Sequence, residues 1–294
     1  MISARSFRTF ALCLLPLALF GGARVLHAQS APAPPKYEVY AVRFASVSYP
    51  IASLVKGSEK TGNIDIAFTV WVMKGGGRTV LLDAGFYRDK FIRQWKPQNY
   101  VKPSEALTTG LGIKPEDITD IIVSHSHWDH CDGVDLFPRA KVWIQKDEYE
   151  YYVGADGAVL HQGGVDVDDA KMLMGLKADG RVNLVPGDAQ EILPGITVYT
   201  GGKHTFASQF VGVNTAVGTI VLASDNAYLY ENLEKHLPIA QTVQGDPGAV
   251  ASNLAAQDRM MKLAASPKFV IPGHDPAVFE RFPTPGNGVA RIDK

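Results

Sequence analysis

The stretch Ser124-His125-Ser126-His127-Trp128-Asp129-His130 decides both the predicted fold and the predicted chemistry. It follows the largely apolar run 118–123, which is typical of a buried strand. Imidazole and carboxylate groups suit zinc and related divalent metals. In an extended segment the first two histidines leave the chain on the same side and can hold one ion. Asp129 and His130 follow where the chain turns and can point at a second ion. The stretch therefore predicts a two-metal site at a strand end, the alternative being a polar surface cluster.

Segments on both sides of this stretch predict further strands and helices. The predicted strands are Tyr37–Phe44, Ile64–Met73, Arg78–Leu82, Lys141–Ile144, Asn183–Val185, Ile196–Thr200, Phe210–Val217, Thr219–Ala223 and Lys268–Ile271. The predicted helices are Asp147–Val153, one from about Leu229, and Ala249–Ala265 capped by Asp246, with Tyr87–Tyr100 as helix or lid. Strands followed by helices, twice over, favour an α/β fold of the αββα type, in which two mixed sheets pack face to face with helices outside.

The first 28 residues differ in composition from the rest of the chain. Two arginines lead into the apolar run 10–20, the small residues Gly21, Gly22 and Ala23 follow, and a plausible cleavage site lies after Ala28. This is the pattern of a secretory signal peptide, and the run is too short to span a bilayer. An amphipathic helix on a membrane surface is the alternative. We therefore predict a signal peptide over residues 1–28, a Pro/Ala linker over 29–36 and one domain over 37–294. The predicted location is periplasmic or secreted, without a stable membrane anchor.

Composition and charge exclude some classes of protein. The 294-residue chain is 46% hydrophobic and 20% charged, as expected of a protein with a large core. Without the predicted signal peptide its net charge is −4, and no basic stripe with interleaved aromatics is present, so no nucleic-acid partner is predicted. Cys131 then remains as the single cysteine, which excludes an intramolecular disulfide. It follows His130 directly and is either a metal ligand or a small apolar core residue.

The pattern His-x-His-x-Asp-His after a buried strand resembles the signature of the metallo-β-lactamase superfamily of hydrolases. The resemblance implies a later His, an Asp at a strand end and a last His near the C-terminus. His204, Asp225 and His274 each follow a predicted strand, and strand-end loops along one edge can share a site. The implied ligands are His125, His127 and His204 for the first metal, Asp129, His130 and His274 for the second, and Asp225 as the bridge between the two.

The resemblance also implies a pair of Zn²⁺ ions as cofactor, with Fe, Mn or Co as alternatives. Two such ions about 3.5–4 Å apart can lower the pKa of a bridging water from 15.7 towards roughly 7. The carboxylates of Asp129 and Asp225 offset half of the metal charge, which favours a bound hydroxide, and Asp129 would orient it and take up its proton. Asp83 ends a predicted strand. It either forms a turn before Gly85 or fixes the tautomer of a ligand histidine.

Residues around the bridging position separate members of the superfamily. True zinc β-lactamases carry no aspartate at the position of Asp225, and glyoxalase-type thioesterases add a helical region after the last histidine, whereas twenty residues follow His274 here. Tyr228 is similar to the tyrosine with which N-acyl-homoserine lactonases contact the lactone. It would donate to the developing oxyanion or, alternatively, pack in the core. The stretch 203–208 departs from the lactonase pattern around the third histidine, so the loop that shapes the pocket differs.

The predicted function is that of a dinuclear zinc hydrolase that opens a lactone ring by attack of a metal-bridging hydroxide. An N-acyl-homoserine lactone is the first choice of substrate, which implies a quorum-quenching lactonase. The alternative is an exported hydrolase of another lactone, ester, thioester or β-lactam. A different class of protein, with an iron site that reduces oxygen, would need a flavin domain and a glutamate ligand. A protein that only binds metal, without catalysis, would not require all seven ligands. The predicted partner is a small lactone or ester, and the oligomeric state is not predicted. His161 is either solvated or in contact with substrate, and His236 lies on the surface.

Overall fold

The computed structural model describes residue 1, residues 33–286 and residues 288–294. Residues 2–32, which include nearly all of the predicted signal peptide and half of the predicted linker, lie outside the described residues. The compact unit from Pro34 to Lys294 contains all the strands and helices given below.

Two mixed β-sheets form the centre of this unit. Over the described residues, the larger sheet has seven strands in the spatial order β12 (Val289–Arg291), β1 (Glu38–Pro50), β2 (Asn63–Gly75), β3 (Arg78–Leu82), β4 (Asp120–Ile122), β5 (Lys141–Gln145) and β6 (Val182–Val185). The smaller sheet, counted over the same residues, has five strands in the order β11 (Val270–Pro272), β10 (Gly218–Ser224), β9 (Gln209–Thr215), β8 (Ile196–Thr200) and β7 (Gln190–Leu193). Each sheet combines parallel and antiparallel pairs, since β3 to β6 are parallel to one another and β11 is parallel to β10. The predicted pair of mixed sheets is confirmed.

Helices cover the outer faces of the sheets. In the described part of the chain they are α1 (Asp89–Trp95), α2 (Pro103–Leu111), α3 (Trp128–Cys131), α4 (Lys146–Tyr152), α5 (Val167–Ala178), α6 (Tyr230–Glu234), α7 (Ala249–Leu263) and α8 (Val278–Arg281). Short 3-10 turns occur at Ile51–Ser53, Pro115–Asp117, Val134–Leu136 and Pro267–Phe269. None of these helices has the length and apolar character that crossing a membrane requires.

Alternation along the strands builds two hydrophobic cores. In β1, Val39 and Ala41 join a core that holds residues of both sheets, whereas Val42 and Phe44 join a core that lies under α1, α2, α4 and α5. This follows from the two-residue period of a strand, which sends successive side chains to opposite faces. The predicted αββα sandwich is therefore the observed architecture.

Several predicted boundaries differ from the observed ones. The last predicted strand, Lys268–Ile271, begins only at Val270, because Pro267 opens a 3-10 turn that takes up its first residues. The long helix α7 ends at Leu263, and its N-cap is Gly248 rather than Asp246. Asp246 still contributes, since its Oδ1 accepts a hydrogen bond from the backbone N–H of Gly248 at 2.8 Å. The strands β7 and β12 and the helices α2, α5 and α8 have no counterpart among the predicted elements.

Candidate metal centre

The seven predicted ligands converge in two adjoining groups. One ligand atom from each residue of a group lies within 4.8 Å of the others; the groups are His125, His127, His204 and Asp225, and Asp129, His130 and His274. Asp225 also touches the second group, since its Oδ2 is 3.4 Å from His130 Nε2 and its Oδ1 is 3.0 Å from His274 Nε2. The grouping is the one predicted, with Asp225 between the two. The role of these residues as metal ligands stays a prediction.

Each sheet supplies part of this centre. Four of the residues lie on the segment after β4, which turns directly into α3, and His127 is the N-cap of that helix. The other three follow strands of the smaller sheet, namely β8, β10 and β11. Parallel neighbours such as β10 and β11 end at the same edge of a sheet, so Asp225 and His274 are brought together by topology rather than by proximity in sequence.

The outward-facing ring nitrogens of four histidines are held by fixed groups. His204 Nδ1 donates to the carbonyl oxygen of Gln241 at 3.0 Å, and His274 Nδ1 donates to that of Ala67 at 3.0 Å. Because a carbonyl oxygen can only accept, each Nδ1 carries a proton, and Nε2 is the nitrogen that faces the cluster. The Nδ1 atoms of His125 and His130 contact Ser124 Oγ at 2.9 Å and Asp83 Oδ2 at 2.8 Å. Such outer contacts orient metal-binding histidines.

Two buried nitrogen atoms of the cluster indicate whether its residues fit a metal ion. His125 Nε2 and His130 Nε2 are buried and have no hydrogen-bond partner among the described residues. A buried polar atom without a partner costs free energy, so each calls for a ligand. Imidazole nitrogens together with carboxylate oxygens form a donor set that zinc and related divalent cations accept. The residues present therefore fit a pair of such ions.

The electrostatics of the cluster favour cations. Burial lowers the pKa of His125 well below its usual value and lowers that of His127 to about 3, so both rings are neutral. Burial alone would raise the pKa of Asp225, but His130 and His274 outweigh it and hold that pKa well below the usual range. Burial likewise opposes the rise in the pKa of His130, which Asp225, Asp129 and Asp83 nevertheless raise well above its usual value. The same concentration of carboxylates favours a bound divalent cation.

Asp83 connects the two sheets behind the second group. The side chain is buried and accepts hydrogen bonds from the backbone N–H of Ser124 at 2.8 Å and from the hydroxyls of Ser124 and Ser224 at 2.9 and 3.1 Å. With the contact to His130, this confirms the predicted link between Asp83 and a ligand histidine. Asp83 also has a φ of +60°, so it forms the tight turn of the alternative interpretation as well.

Glu148 lies behind the first group of ligand residues, as Asp83 lies behind the second. No role was predicted for it from the sequence. Its side chain is fully buried at the start of α4. One carboxylate oxygen accepts from the backbone N–H of Ser126 at 2.9 Å, and the other accepts from that of Ala207 at 2.8 Å. Ser126 lies between His125 and His127, and Ala207 lies three residues after the third histidine. Glu148 therefore joins the two loops that carry the histidines of the first group.

The loop after α4 also contacts a predicted ligand. Gly164 has a φ of +86°, and a Cβ at this position would come within 2.7 Å of His127 Cδ2. Its carbonyl oxygen accepts a hydrogen bond from the backbone N–H of Trp128 at 3.3 Å. Only glycine allows the loop to approach the ring so closely, which keeps His127 in position from the side facing solvent.

Tyr228 lies in the wall of a pocket that opens on the cluster. Its Oη is 3.3 Å from His204 Nδ1, and its ring centroid is 5.8 Å from that of His274. Burial raises its pKa well above the usual value, so the phenol keeps its proton and can donate it in a hydrogen bond. The ring is buried, as the core interpretation predicts, and it also borders the pocket; donation to an oxyanion stays a prediction.

The pocket has a volume of about 620 Å³ and is lined at the metal centre by His127, Asp129, His204, Asp225 and His274. Elsewhere its lining combines aromatic rings with fewer aliphatic and uncharged polar side chains. Within the described residues, no lysine or arginine lines it. Its size is typical of a site for a small molecule. The centre therefore faces a cavity in which a neutral ligand can be held.

The structure shows the surroundings of three further residues for which the sequence predicted a role or a position. Cys131 is buried and its Sγ contacts the carbonyl oxygen of Ser126 at 3.6 Å, so the core interpretation is confirmed. His236 is exposed beside Asp258, as predicted. His161 is exposed, as the first of its alternatives predicts. It stacks on Tyr151 with 3.8 Å between ring centroids and borders the pocket, and contact with substrate stays a prediction.

The two buried carboxylates behind the centre give a paired prediction. Glu148→Gln keeps the size of the side chain but puts an amide N–H where an acceptor is needed, so we expect about 10- to 100-fold weaker binding of one metal equivalent. Asp83→Asn should weaken the other equivalent by a similar factor, through His130. Competition with a chelator, followed by metal analysis, measures both.

The matched control for this pair is Glu150→Gln, because Glu150 lies on the same helix and pairs at the surface with Lys146. It should bind both equivalents as the unchanged protein does. Unaltered metal affinity in Glu148→Gln would contradict the role assigned to Glu148.

Comparison with known proteins agrees with this geometry. Residues 69–274 match the sequence model of the family described as the metallo-beta-lactamase superfamily. An N-acyl homoserine lactonase of Bacillus thuringiensis is 28% identical over 167 residues, which cover 56% of this chain and 59% of that protein. The N-acyl homoserine lactonase AttM of Azorhizobium caulinodans is 26% identical over 196 residues, which cover 60% and 65%. The chain thus spans less than two thirds of these curated relatives.

Solved structures resemble the fold over a longer stretch. The crystal structure of a quorum-quenching N-acyl homoserine lactone lactonase superposes with a TM-score of 0.66 at 20% identity, covering 81% of this chain and 92% of the other. AidC, a dizinc quorum-quenching lactonase in complex with a product, superposes with a TM-score of 0.62 at 14% identity, covering 88% and 98%. At these identities the likeness establishes the fold alone.

Proposed function

Because the chain belongs to the metallo-β-lactamase superfamily, we propose that it is a metal-dependent hydrolase that opens the ring of a neutral lactone, and that the substrate is an N-acyl homoserine lactone. The observation that carries the proposal is the pocket over the predicted metal centre. It combines carboxylates, a protonated phenol and a wall rich in aromatic rings, and no lysine or arginine of the described residues lines it.

We propose two Zn²⁺ ions as the native cofactor, in agreement with the donor set and with the dizinc neighbour. Bound there, divalent ions would lower the pKa of a water molecule and polarise the lactone carbonyl. The first ion would be held by His125, His127 and His204, the second by Asp129, His130 and His274, and Asp225 would contact both.

Asp129 is the residue proposed to accept the proton of the attacking water. It borders the pocket, and its side chain is 16% exposed, more than that of its neighbour Asp225. Burial opposes the fall in its pKa, but His130 lowers that pKa below the usual value, so the carboxylate is ionised and can accept a proton. A carboxylate within reach of the attacking water can act as general base and later protonate the leaving oxygen.

Tyr228 is proposed to stabilise the charge that develops on the lactone. Its phenol is protonated and lies beside His204 and His274 in the pocket wall. A hydrogen bond from the phenol to the carbonyl or ring oxygen strengthens as negative charge builds up there, which stabilises the transition state more than the bound substrate.

The charge of the pocket distinguishes neutral lactones from anionic substrates. Penicillin-type lactams and glutathione thioesters carry a carboxylate away from the bond that is cleaved, and the described lining away from the metal centre offers it no lysine or arginine, so burying it there is costly. An N-acyl homoserine lactone has no charge to pair. We therefore expect the metal-loaded protein to cleave N-hexanoyl- or N-decanoyl-homoserine lactone with a kcat/KM about 100-fold or more above that for the anionic lactam nitrocefin. Steady-state kinetics on one preparation measures both.

The control for this comparison is the same protein after chelation, which should lose both activities. Faster cleavage of nitrocefin than of either lactone would overturn the lactonase proposal and leave only a metal hydrolase.

We also propose export, on the basis of the basic start, the apolar run, the small residues that follow it and the plausible cleavage site after Ala28. Protein recovered from the periplasm or medium should begin near Gln29 by N-terminal sequencing. A Leu15→Arg variant interrupts the apolar run and should stay in the cytoplasm with Met1 in place. Unchanged protein that keeps Met1 in the cytoplasm would refute export.

A further inference from the structure

Aromatic rings are the most numerous kind of side chain in the pocket wall away from the ligand residues, which also includes the uncharged polar residues Gln162, Gln241, Thr242 and Gln244. Besides Tyr228, the aromatic side chains that border it in the described part of the chain are Tyr49, Phe68, Trp95, Trp128, Tyr151 and Tyr152. The aliphatic side chains that border it are Leu54, Ile66 and Val243. An alkyl chain needs only apolar area, which either kind of side chain supplies, so the excess of rings calls for a separate explanation.

Several of these rings form a connected stack. Trp128 stacks with both Phe91 and Trp95, with centroid distances of 4.5 and 5.3 Å and interplanar angles of 18° and 26°. Trp95 is half-buried and contacts Tyr49, with 6.0 Å between their centroids. Trp128 belongs to the metal-binding stretch itself, so the stack begins beside the ligand residues and continues along the pocket.

A second stack borders the same cavity. Tyr151 lies between Phe206 and His161, at centroid distances of 4.0 and 3.8 Å and interplanar angles of 2° and 10°. Phe206 is in turn covered by the ammonium group of Lys203, 4.7 Å from its centroid. Because each ring is held by its neighbours, the rings of both stacks that border the cavity lose little freedom when a ligand contacts them.

From these two stacks we infer that the pocket selects a substrate whose acyl group carries an aromatic ring, that is, a neutral arylacyl homoserine lactone in preference to an alkanoyl one of equal size. The inference rests on the proposed lactonase function and adds the class of acyl group. A ring in the ligand gains offset-stacked or edge-to-face contacts beyond the area that it buries, and each such pair is worth about 2- to 12-fold in affinity. A saturated ring or chain gains only the free energy of burying its apolar surface area.

A matched pair of substrates separates these two contributions. N-(3-phenylpropanoyl)- and N-(3-cyclohexylpropanoyl)-homoserine lactone share the lactone, the amide and the carbon skeleton, and differ only in aromaticity. The cyclohexyl ring is the more apolar and buries more area, so burial alone predicts a phenyl-to-cyclohexyl ratio of kcat/KM at or below one. Aromatic selection predicts a ratio of about 3 or more, which appears mainly in KM because the contact is equal in ground and transition states.

Variants of Trp95 assign the preference to the stack. Trp95→Leu should lower the ratio towards one, whereas Trp95→Phe keeps a ring and should retain most of it. The control Arg93→Lys, at an exposed residue on the same helix that does not border the pocket, should leave the ratio as it is in the unchanged protein. If Trp95→Leu does not fold, the ratio in the unchanged protein still decides.

The outcomes distinguish this inference from the function on which it rests. Hydrolysis of both lactones with a ratio at or below one would overturn the aromatic preference and leave the lactonase proposal standing. Failure to hydrolyse these lactones and the N-hexanoyl lactone, with both metals bound, would overturn the lactonase proposal itself.

Discussion

Asp225→Asn is expected to bind about one metal ion or fewer per chain and to lose about 10³-fold or more in turnover. The side-chain carboxylate oxygens of Asp225 lie 3.2 Å from His204 Nε2 and 3.0 Å from His274 Nε2, so one side chain serves both groups. Asparagine keeps the shape but removes the negative charge and one ligand oxygen. Metal polarisation of a carbonyl stabilises the transition state by several kcal/mol, and about 4 kcal/mol corresponds to about 10³-fold.

Elemental analysis and steady-state turnover on the same preparations check this result, with about two equivalents expected in the unchanged protein. Asp258→Asn is the matched control, because Asp258 is exposed beside His236. It should retain both metal equivalents and full turnover. An Asp225→Asn protein that binds two metal equivalents and keeps its turnover would contradict the proposed role of Asp225 as the residue that contacts both metal ions.

Tyr228→Phe is expected to lower lactone turnover about 10²-fold while both metals stay bound. Losing one oxyanion donor costs about 10²–10³ in turnover, and the lower end applies here because a metal ion would share the developing charge. The loss should appear in kcat more than in KM, since the hydrogen bond strengthens as the charge forms. The ring remains in place, so its packing against His274 is preserved.

Tyr49→Phe is the control for this experiment. Tyr49 also borders the pocket, but its hydroxyl accepts a hydrogen bond from the side-chain amide of Gln241 at 3.2 Å. Tyr49→Phe should therefore lower lactone turnover far less than Tyr228→Phe does. Turnover, metal content and melting temperature should be measured together, because a tyrosine that only packs would lower the melting temperature and leave turnover per folded molecule unchanged. Full turnover in Tyr228→Phe would contradict the proposed role.

The sequence predicted those parts of the centre that depend on residue type at strand ends. His204, Asp225 and His274 are far apart in the chain, yet each follows a strand with a strong apolar pattern, and the edge of a sheet brings such ends together. The two mixed sheets could be predicted for the same reason, since long β-rich segments such as Asn63–Gly75 leave little ambiguity.

Features that depend on tertiary packing could not be predicted. Glu148 is an ordinary acidic residue at the start of a helix in the sequence, and only the folded chain shows that it is buried against two loops. The strand Val289–Arg291 is three residues long and is defined by its pairing with β1. The close contact between Gly164 and His127 is formed by two segments of the chain, and no pattern in their sequences predicts that they meet.

The division of the ligand residues between the two sheets has a consequence for the kinetics of folding. Four of them follow a strand of the larger sheet and three follow strands of the smaller one, so the full set exists only after the sheets have docked. Interactions that form after the transition state slow unfolding and leave the rate of folding almost unchanged. Metal supply would therefore govern how long the folded protein persists rather than how fast it forms, and scarcity of metal would shorten its lifetime.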